Sequence, residues 1–229
     1  MSSKVTELQA TTTPNQQPAT RGTLFVVSSP SGGGKGTLIR RVLDVVDNLS
    51  YSVSYTTRGP RPTEVNGREY FFIDRAEFDE MVAGGEFLEW ACVHGNYYGT
   101  SKRQIAEKTA AGIDIVLEVD VQGAASVRKL LMDSVSVFIL PPSYELLKER
   151  LCARGTDTQE SLEVRMRNAP DELSQYSSFD YVIINDEIER AVAQLASIIY
   201  AERARCVRQE GLVRRVMEEF RSAEARTRG

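Results

Sequence analysis

Apolar residues along this chain fall in short runs that alternate with stretches of helical period. Thr23–Ser28 is an apolar run of strand length between Gly22 and Pro30. From Lys35 onward Leu38, Ile39, Val42, Leu43 and Val46 recur at the spacing of one helix face. Ser50–Tyr55 predicts a second strand, and residues 56–69 break the pattern with Gly59, Pro60, Pro62 and Gly67 among polar residues. Tyr70–Ile73 then predicts a strand, Arg75–Ala83 a short helix and Phe87–Val93 a further strand, with a turn signal at Gly95-Asn96. This stretch predicts a small mixed lobe inserted between core elements.

Strand and helix alternate again afterwards. Ser101–Ala111 is helical, Ile113–Val119 a buried strand, Gln122–Leu131 helical and Val135–Leu140 a strand. Ser143 caps a helix to Cys152, Glu160–Leu173 is an Arg-bearing helix, Tyr181–Ile184 is a last strand, and Asp186 caps a long final helix toward Cys206. Such alternation predicts an α/β fold whose parallel sheet is covered by helices on both faces. The expected division is a tail at 1–21, a core of 22–53, 104–152 and 175–208, a lobe at 54–103, a short helical lid at 153–174, and an extension at 209–229. The tail is rich in Ser, Thr, Gln and Pro and is expected to be disordered. The extension is helical or frayed, with Leu212, Val213, Val216, Met217 and Phe220 at helical spacing.

Composition narrows the chemistry. The 229 residues are 41% hydrophobic and 26% charged, which is ordinary globular usage with enough chain for a sizeable core. A net charge of −4 argues against non-specific nucleic-acid binding, which needs a basic face. No apolar run is long enough to span a bilayer, and no secretory signal follows Lys4. Cys92, Cys152 and Cys206 are scattered and form no CxxC pair. They predict free, mostly buried thiols in a reducing compartment, the cytoplasm. With His94 as the single histidine, a Ser-His-Asp triad or a His-rich metal site is excluded as a working reading. Chemistry must rest on Arg, Lys, Asp, Glu, hydroxyls and backbone, and that combination points to phosphate.

The segment Ser29, Pro30, Ser31, Gly32, Gly33, Gly34, Lys35, Gly36, Thr37 lies between the first strand and the first helix, where a P-loop belongs. Glycines let main-chain N–H groups curl round an anion, the helix N-terminus adds positive potential, and the lysine reaches the β and γ phosphates. The pattern GxxxxGK[ST] is only half met. Ser29 stands for the first glycine, and Gly36 stands where a hydroxyl would hold Mg²⁺, so Thr37 or water must fill that role. Farther on, Arg58 and Arg61 sit in a proline-bounded loop, and a guanidinium fork suits a phosphate.

With these residues in hand the sequence resembles the guanylate kinase family over about residues 22–200. The matching motifs are Ser29–Thr37, Thr56–Phe72, Glu86–Ala91, Gly95–Thr100, Asp120–Gly123 and the Arg150…Arg154-Gly-Thr stretch. The resemblance implies a kinase using ATP and Mg²⁺ to phosphorylate GMP, with dGMP possible. It implies that Arg58, Arg61 and Tyr70 grip the GMP phosphate, with Tyr98 beside it or against the base. Ser54, Glu89, Thr100 and Asp120 would face guanine. Arg150, Arg154 and Arg165 would meet ATP phosphates from the lid, with Asn185 near adenine, and Lys35, Arg58, Arg154 and Arg165 would carry catalysis.

The chemistry of the base agrees, since guanine offers N1–H and N2–H₂ donors that one carboxylate can accept while a hydroxyl donates to O6. Adenine offers the opposite pattern. Plain structural roles stand beside these: Asp120 as a cap for the helix from Gln122, Tyr70 and Tyr98 as core aromatics, the lid arginines as a solvated face, His94 as a packing residue. The alternative for the whole chain is a catalytically inactive, guanylate-kinase-like protein-binding module. The retained Lys35, Arg58, Arg61, Arg154 and Arg165 argue against it.

Overall fold

The computed structural model describes residues 21–93, 95–153 and 159–228. Along the chain run β1 (Leu24–Ser28), α1 (Lys35–Val45), β2 (Leu49–Tyr51), β3 (Tyr55–Thr56), β4 (Phe71–Phe72), α2 (Arg75–Ala83), β5 (Phe87–Val93) and β6 (Asn96–Ser101). They continue as α3 (Lys102–Ala110), β7 (Asp114–Glu118), α4 (Val121–Leu130), β8 (Val135–Leu140), α5 (Tyr144–Ala153) and α6 (Gln159–Ser174). A 3₁₀ turn at Gln175–Ser178 leads to β9 (Tyr181–Ile184), α7 (Ile188–Arg203) and α8 (Cys206–Arg228).

Among the described residues five parallel strands form one sheet in the order β2-β7-β1-β8-β9. β1 is central and buried along its length, so its alternating side chains feed two cores. Phe25 and Val27 meet Leu38, Ile39 and Val42 of α1 and Ala191, Leu195 and Ile199 of α7. Leu24 and Val26 meet Ile105 of α3 and Ala124 and Val127 of α4 on the other face. Each such side chain contributes roughly 1.5–3 kcal/mol of burial. The expected α/β fold with a parallel sheet covered on both faces is what forms. Because all five strands run one way, their C-terminal ends lie together, and this is where open α/β sheets bind ligands.

The lobe is a second sheet in the order β4-β3-β6-β5. β5 pairs antiparallel with β6, and the register shifts between Phe87 and Glu89. That irregularity lets neighbouring residues serve two cores: Phe87 packs on Phe78 with ring centres 4.6 Å apart, while Leu88 joins the main core. Past it Glu89 lies directly opposite Thr100.

Four expectations are corrected. Ser50–Tyr55 is not one strand: Ser52 N–H ends the main-sheet pairing on Val116 O (2.9 Å), and Ser54 O then accepts Phe71 N–H (2.9 Å) in the lobe. The crossing between sheets needs those residues out of either ladder. Asp186 does not cap the last core helix; it accepts the adjacent N–H of Glu187 at 2.7 Å and pairs with Arg190, and α7 starts after Glu187. That helix ends at Arg203, and a separate 23-residue helix, α8, follows with no buried residue. The three thiols are exposed, not buried. The tail at 2–20, His94, Arg154 and the hinge at 155–158 lie outside the described residues.

Candidate active site

The turn after β1 folds back on itself before α1 begins. Pro30 O accepts Gly33 N–H at 3.0 Å and the Ser29 hydroxyl at 2.9 Å. Gly32 and Gly34 both have φ +87°, a left-handed backbone that favours glycine. Space forbids larger residues as well: a Cβ on Gly32 would lie 2.8 Å from Leu151 Cγ, and one on Gly34 2.4 Å from Asn185 Nδ2. The loop opens into a crevice of about 320 Å³ walled by Ser29 to Gly36, Glu118, Asp120, Val121, Gln122 and Glu172. Thr37 is exposed on the first turn of α1 and is not part of that wall.

Lys35 leans across to the end of β7, where Nζ donates to Val119 O at 2.7 Å and lies 3.8 Å from Glu118 Oε1. The carboxylate facing the lysine is therefore Glu118, the last residue of β7. The Tyr51 hydroxyl on β2 donates to Glu118 Oε2 at 3.2 Å, and burial, with the Glu118 charge next, pushes that phenol far above its usual range. Asp120 also lines the crevice, but its side chain caps α4 by accepting Gly123 N–H at 2.7 Å. Sequence reasoning missed Glu118. The available signal was an acid at the end of an apolar strand, two residues ahead of the one singled out.

Two helices and the end of β9 close over the loop. Arg150 of α5 donates through Nη2 to Asn185 O at 2.9 Å, while its buried Nη1 has no hydrogen-bond partner among the described residues and lies beside Gly34. Asn185 is itself buried, and its Nδ2 donates to Gly33 O at 3.0 Å, so it props the loop from behind. Arg165 of α6 donates to the Ser31 hydroxyl at 2.5 Å, and Glu172 two turns on accepts Ser31 N–H at 3.2 Å. Glu172 is a second residue the sequence did not mark, because an acid on a charged helix carries no signal of its own.

In the lobe, Arg58 donates to both oxygens of Glu64 at 2.8 and 2.9 Å, and its guanidinium lies 5.4 Å from the ring centre of Tyr70. Tyr70 meets Tyr98 edge-on at 5.8 Å. Arg61 is exposed at the rim, its main-chain N–H bound to Glu64. Ser54 lies where the chain enters the lobe. Thr100 is buried, and its hydroxyl donates to Glu89 Oε1 at 2.5 Å. Burial raises the Glu89 carboxyl above the usual range; the Thr100 bond pulls it back, and the charge of Asp120 pushes it up again. Glu89 and Thr100 are thus brought together across β5 and β6, and α4, which Asp120 caps, packs against β5.

Residues 21–202 match the family model described as guanylate kinase. The chain belongs to the guanylate kinase family. It is 50% identical over 188 residues to the guanylate kinase of Symbiobacterium thermophilum, covering 82% of this chain and 89% of that relative. It is likewise 50% identical over 197 residues to that of Nitrosomonas europaea, covering 86% and 98%. Among solved structures, the guanylate kinase from Anaplasma phagocytophilum is similar with a TM-score of 0.67 at 34% identity, over 83% of this chain and 90% of that one. α8 lies beyond the residues that the family model matches. Among the described residues no helix is long and apolar enough to cross a membrane.

Proposed function

We propose that this chain transfers the γ-phosphoryl group of ATP to GMP, giving ADP and GDP. The observation that carries this reading is that Asp120 lines the phosphate-loop crevice and caps α4, and α4 packs against β5, the strand of Glu89, so two recognition surfaces adjoin. On this reading the loop from Ser29 to Gly36 holds the ATP phosphates with main-chain N–H groups. Lys35, Arg150 and Arg165 supply positive charge, and Arg150 Nη1 beside Gly34, without a partner among the described residues, is a donor that a phosphate oxygen would satisfy. Arg154 belongs to the same proposed set. Arg58, Arg61 and Tyr70 hold the GMP phosphate with Tyr98 beside them, and Ser54, Glu89, Thr100 and Asp120 address guanine.

The attacking oxygen belongs to a phosphate whose second pKa is about 6, so it is mostly ionised at neutral pH and needs no general base. Catalysis is then the alignment of two polyanions and the neutralisation of charge as it moves to the leaving ADP. Mg²⁺ supplies part of that neutralisation when bound with the nucleotide. The donor set fits it: Glu118 offers carboxylate oxygens in the crevice, and Mg²⁺ characteristically takes one or two carboxylates, water and substrate phosphates. Among the described residues no cluster of three or more ligands stands ready alone. Gly36 brings no hydroxyl, so Glu118 would hold the ion, with Thr37 outside the wall. dGMP is a further acceptor on this reading, since the assigned contacts address base and phosphate. The exposed thiols suit a reducing compartment, and we place the protein in the cytoplasm.

A coupled assay of ADP release with GMP, AMP, UMP and CMP tests the reading. GMP is expected to be the preferred acceptor by several orders of magnitude. Equal turnover of AMP, or none of GMP, would overturn it. An inactive binding module would show GMP binding with no ADP release.

A further inference from the structure

One carboxylate organises the whole arginine loop of the lobe. Glu64 binds Nη2 of Arg58 with both oxygens, and Oε2 also accepts the main-chain N–H of Arg61 at 2.8 Å. The turn between them is closed by Glu64 N–H on Arg61 O at 3.0 Å. Arg58 Nη1 is held in addition by Gly59 O at 2.8 Å, and the guanidinium lies within 5.8 Å of the Phe72 ring centre. The ion pair is sheltered, with side chains only 19% and 11% exposed, so water competes weakly for either partner. Glu64 lowers the loop's net charge, and its own carboxyl is held below the usual range by Arg58 first and by Arg61 N–H next.

Such a carboxylate could act as a rival anion that substrate must displace, or as a fixed part of the scaffold. The hydrogen bonds decide for the second. Oε2 accepts from a side chain and a main chain at once, so moving Glu64 away from Arg58 would also take from Arg61 N–H its acceptor. A phosphate meeting the N–H donors that Glu64 and Gly59 leave on Arg58 finds a guanidinium already fixed in plane, and the ordering is done before the ligand arrives.

We propose that Glu64 is a positioning residue for the phosphate of the acceptor nucleotide, acting through Arg58 and the main chain of Arg61. This rests on reading those two arginines as the holders of the GMP phosphate. The test compares E64Q, E64D and R58A, and the double variant R58A/E64Q, by steady-state kinetics and by calorimetric titration of GMP. E64Q is expected to raise both KM and Kd for GMP about tenfold, as loss of a charge-assisted contact does, with the KM for ATP within twofold. E64D keeps the charge and should recover part of that loss. In the R58A background E64Q should add less than twofold, because the two act as one unit. Unchanged or tighter GMP binding by E64Q, while R58A binds GMP weakly, would overturn the role of Glu64 alone. Normal GMP binding by R58A would instead remove the phosphate-site reading on which it rests. Equal rises in KM for ATP and GMP, with a lowered melting temperature, would make Glu64 a folding residue and also overturn the proposal.

Discussion

The Thr100 hydroxyl donates to Glu89 Oε1 at 2.5 Å, which commits its proton to the carboxylate. Guanine would therefore meet a carboxylate already fixed on one oxygen, and Thr100 can turn its proton to O6 only by giving up this bond. Glu89→Gln puts an NH₂ donor where guanine also donates. The expected result is a fall of about 10- to 150-fold in kcat/KM for GMP, the range set by losing a charge-assisted pair. The KM for ATP should stay within twofold. IMP lacks N2–H₂ and should lose less, so the two substrates and two enzymes form a cycle that isolates the contact. Equal losses for GMP and IMP would show that Glu89 does not read the amino group.

The environment of Glu89 also gives a pH dependence. Burial raises its carboxyl, so the charged form that guanine needs is disfavoured as the solution becomes acidic. The KM for GMP is expected to climb on acidification sooner than an ordinary carboxyl would require, and the Glu89→Gln variant should lack that component. The linkage to stability has the opposite sense. A raised carboxyl binds its proton more tightly folded than unfolded, so ionised Glu89 costs stability near neutrality, and the cost disappears as pH falls through the folded-state value. Thermal melts at pH 7 should place Glu89→Gln at or above the wild type. A clearly lower Tm would contradict this assignment of strain.

Lys35 offers the simplest loss of charge. Lys35→Met keeps most of the length but removes the ammonium that donates to Val119 O and faces Glu118. A fall in kcat of about two orders of magnitude or more is expected, the usual cost of removing an electrostatic stabiliser, with near-native circular dichroism. Turnover close to wild type would separate Lys35 from the reaction.

Asn185 acts from behind the loop. Asn185→Ala leaves Gly33 O without its donor in a buried setting, which costs about 1–2 kcal/mol of stability. The slackened loop should raise the KM for ATP several-fold and leave that for GMP nearly unchanged. Urea denaturation and two-substrate kinetics read these effects separately; a rise for GMP alone would be incompatible with the role.

Much of this arrangement was legible in the sequence. The apolar runs give the strands of the main sheet because a central parallel strand must be apolar on both faces, as Phe25, Val26 and Val27 are. The glycines and Lys35 mark the loop because few other residues can make that turn. Legibility ended where function depends on partners distant in the chain. Nothing local distinguishes Glu118 from Asp120, since both follow the same apolar run; only the reach of Lys35 and Tyr51 separates them. Asn185 carries an adenine-side expectation, yet its amide supports Gly33, a contact spanning 152 positions. The division of Ser50–Tyr55 between two sheets was hidden as well, because both halves have strand-forming composition and only tertiary pairing divides them.

The crowding around Gly32 and Gly34 has a pharmacological side. A compound that takes its hydrogen bonds from the main chain of this turn depends on no side chain that mutation could simply exchange. Substitution at either glycine drives a new carbon to within 2.4–2.8 Å of Asn185 or Leu151 while forcing a left-handed backbone. Resistance by altering the contacts themselves would then have to pass through damaged enzyme, and escape mutations should collect in Val121, Gln122, Glu172 and other residues around the rim.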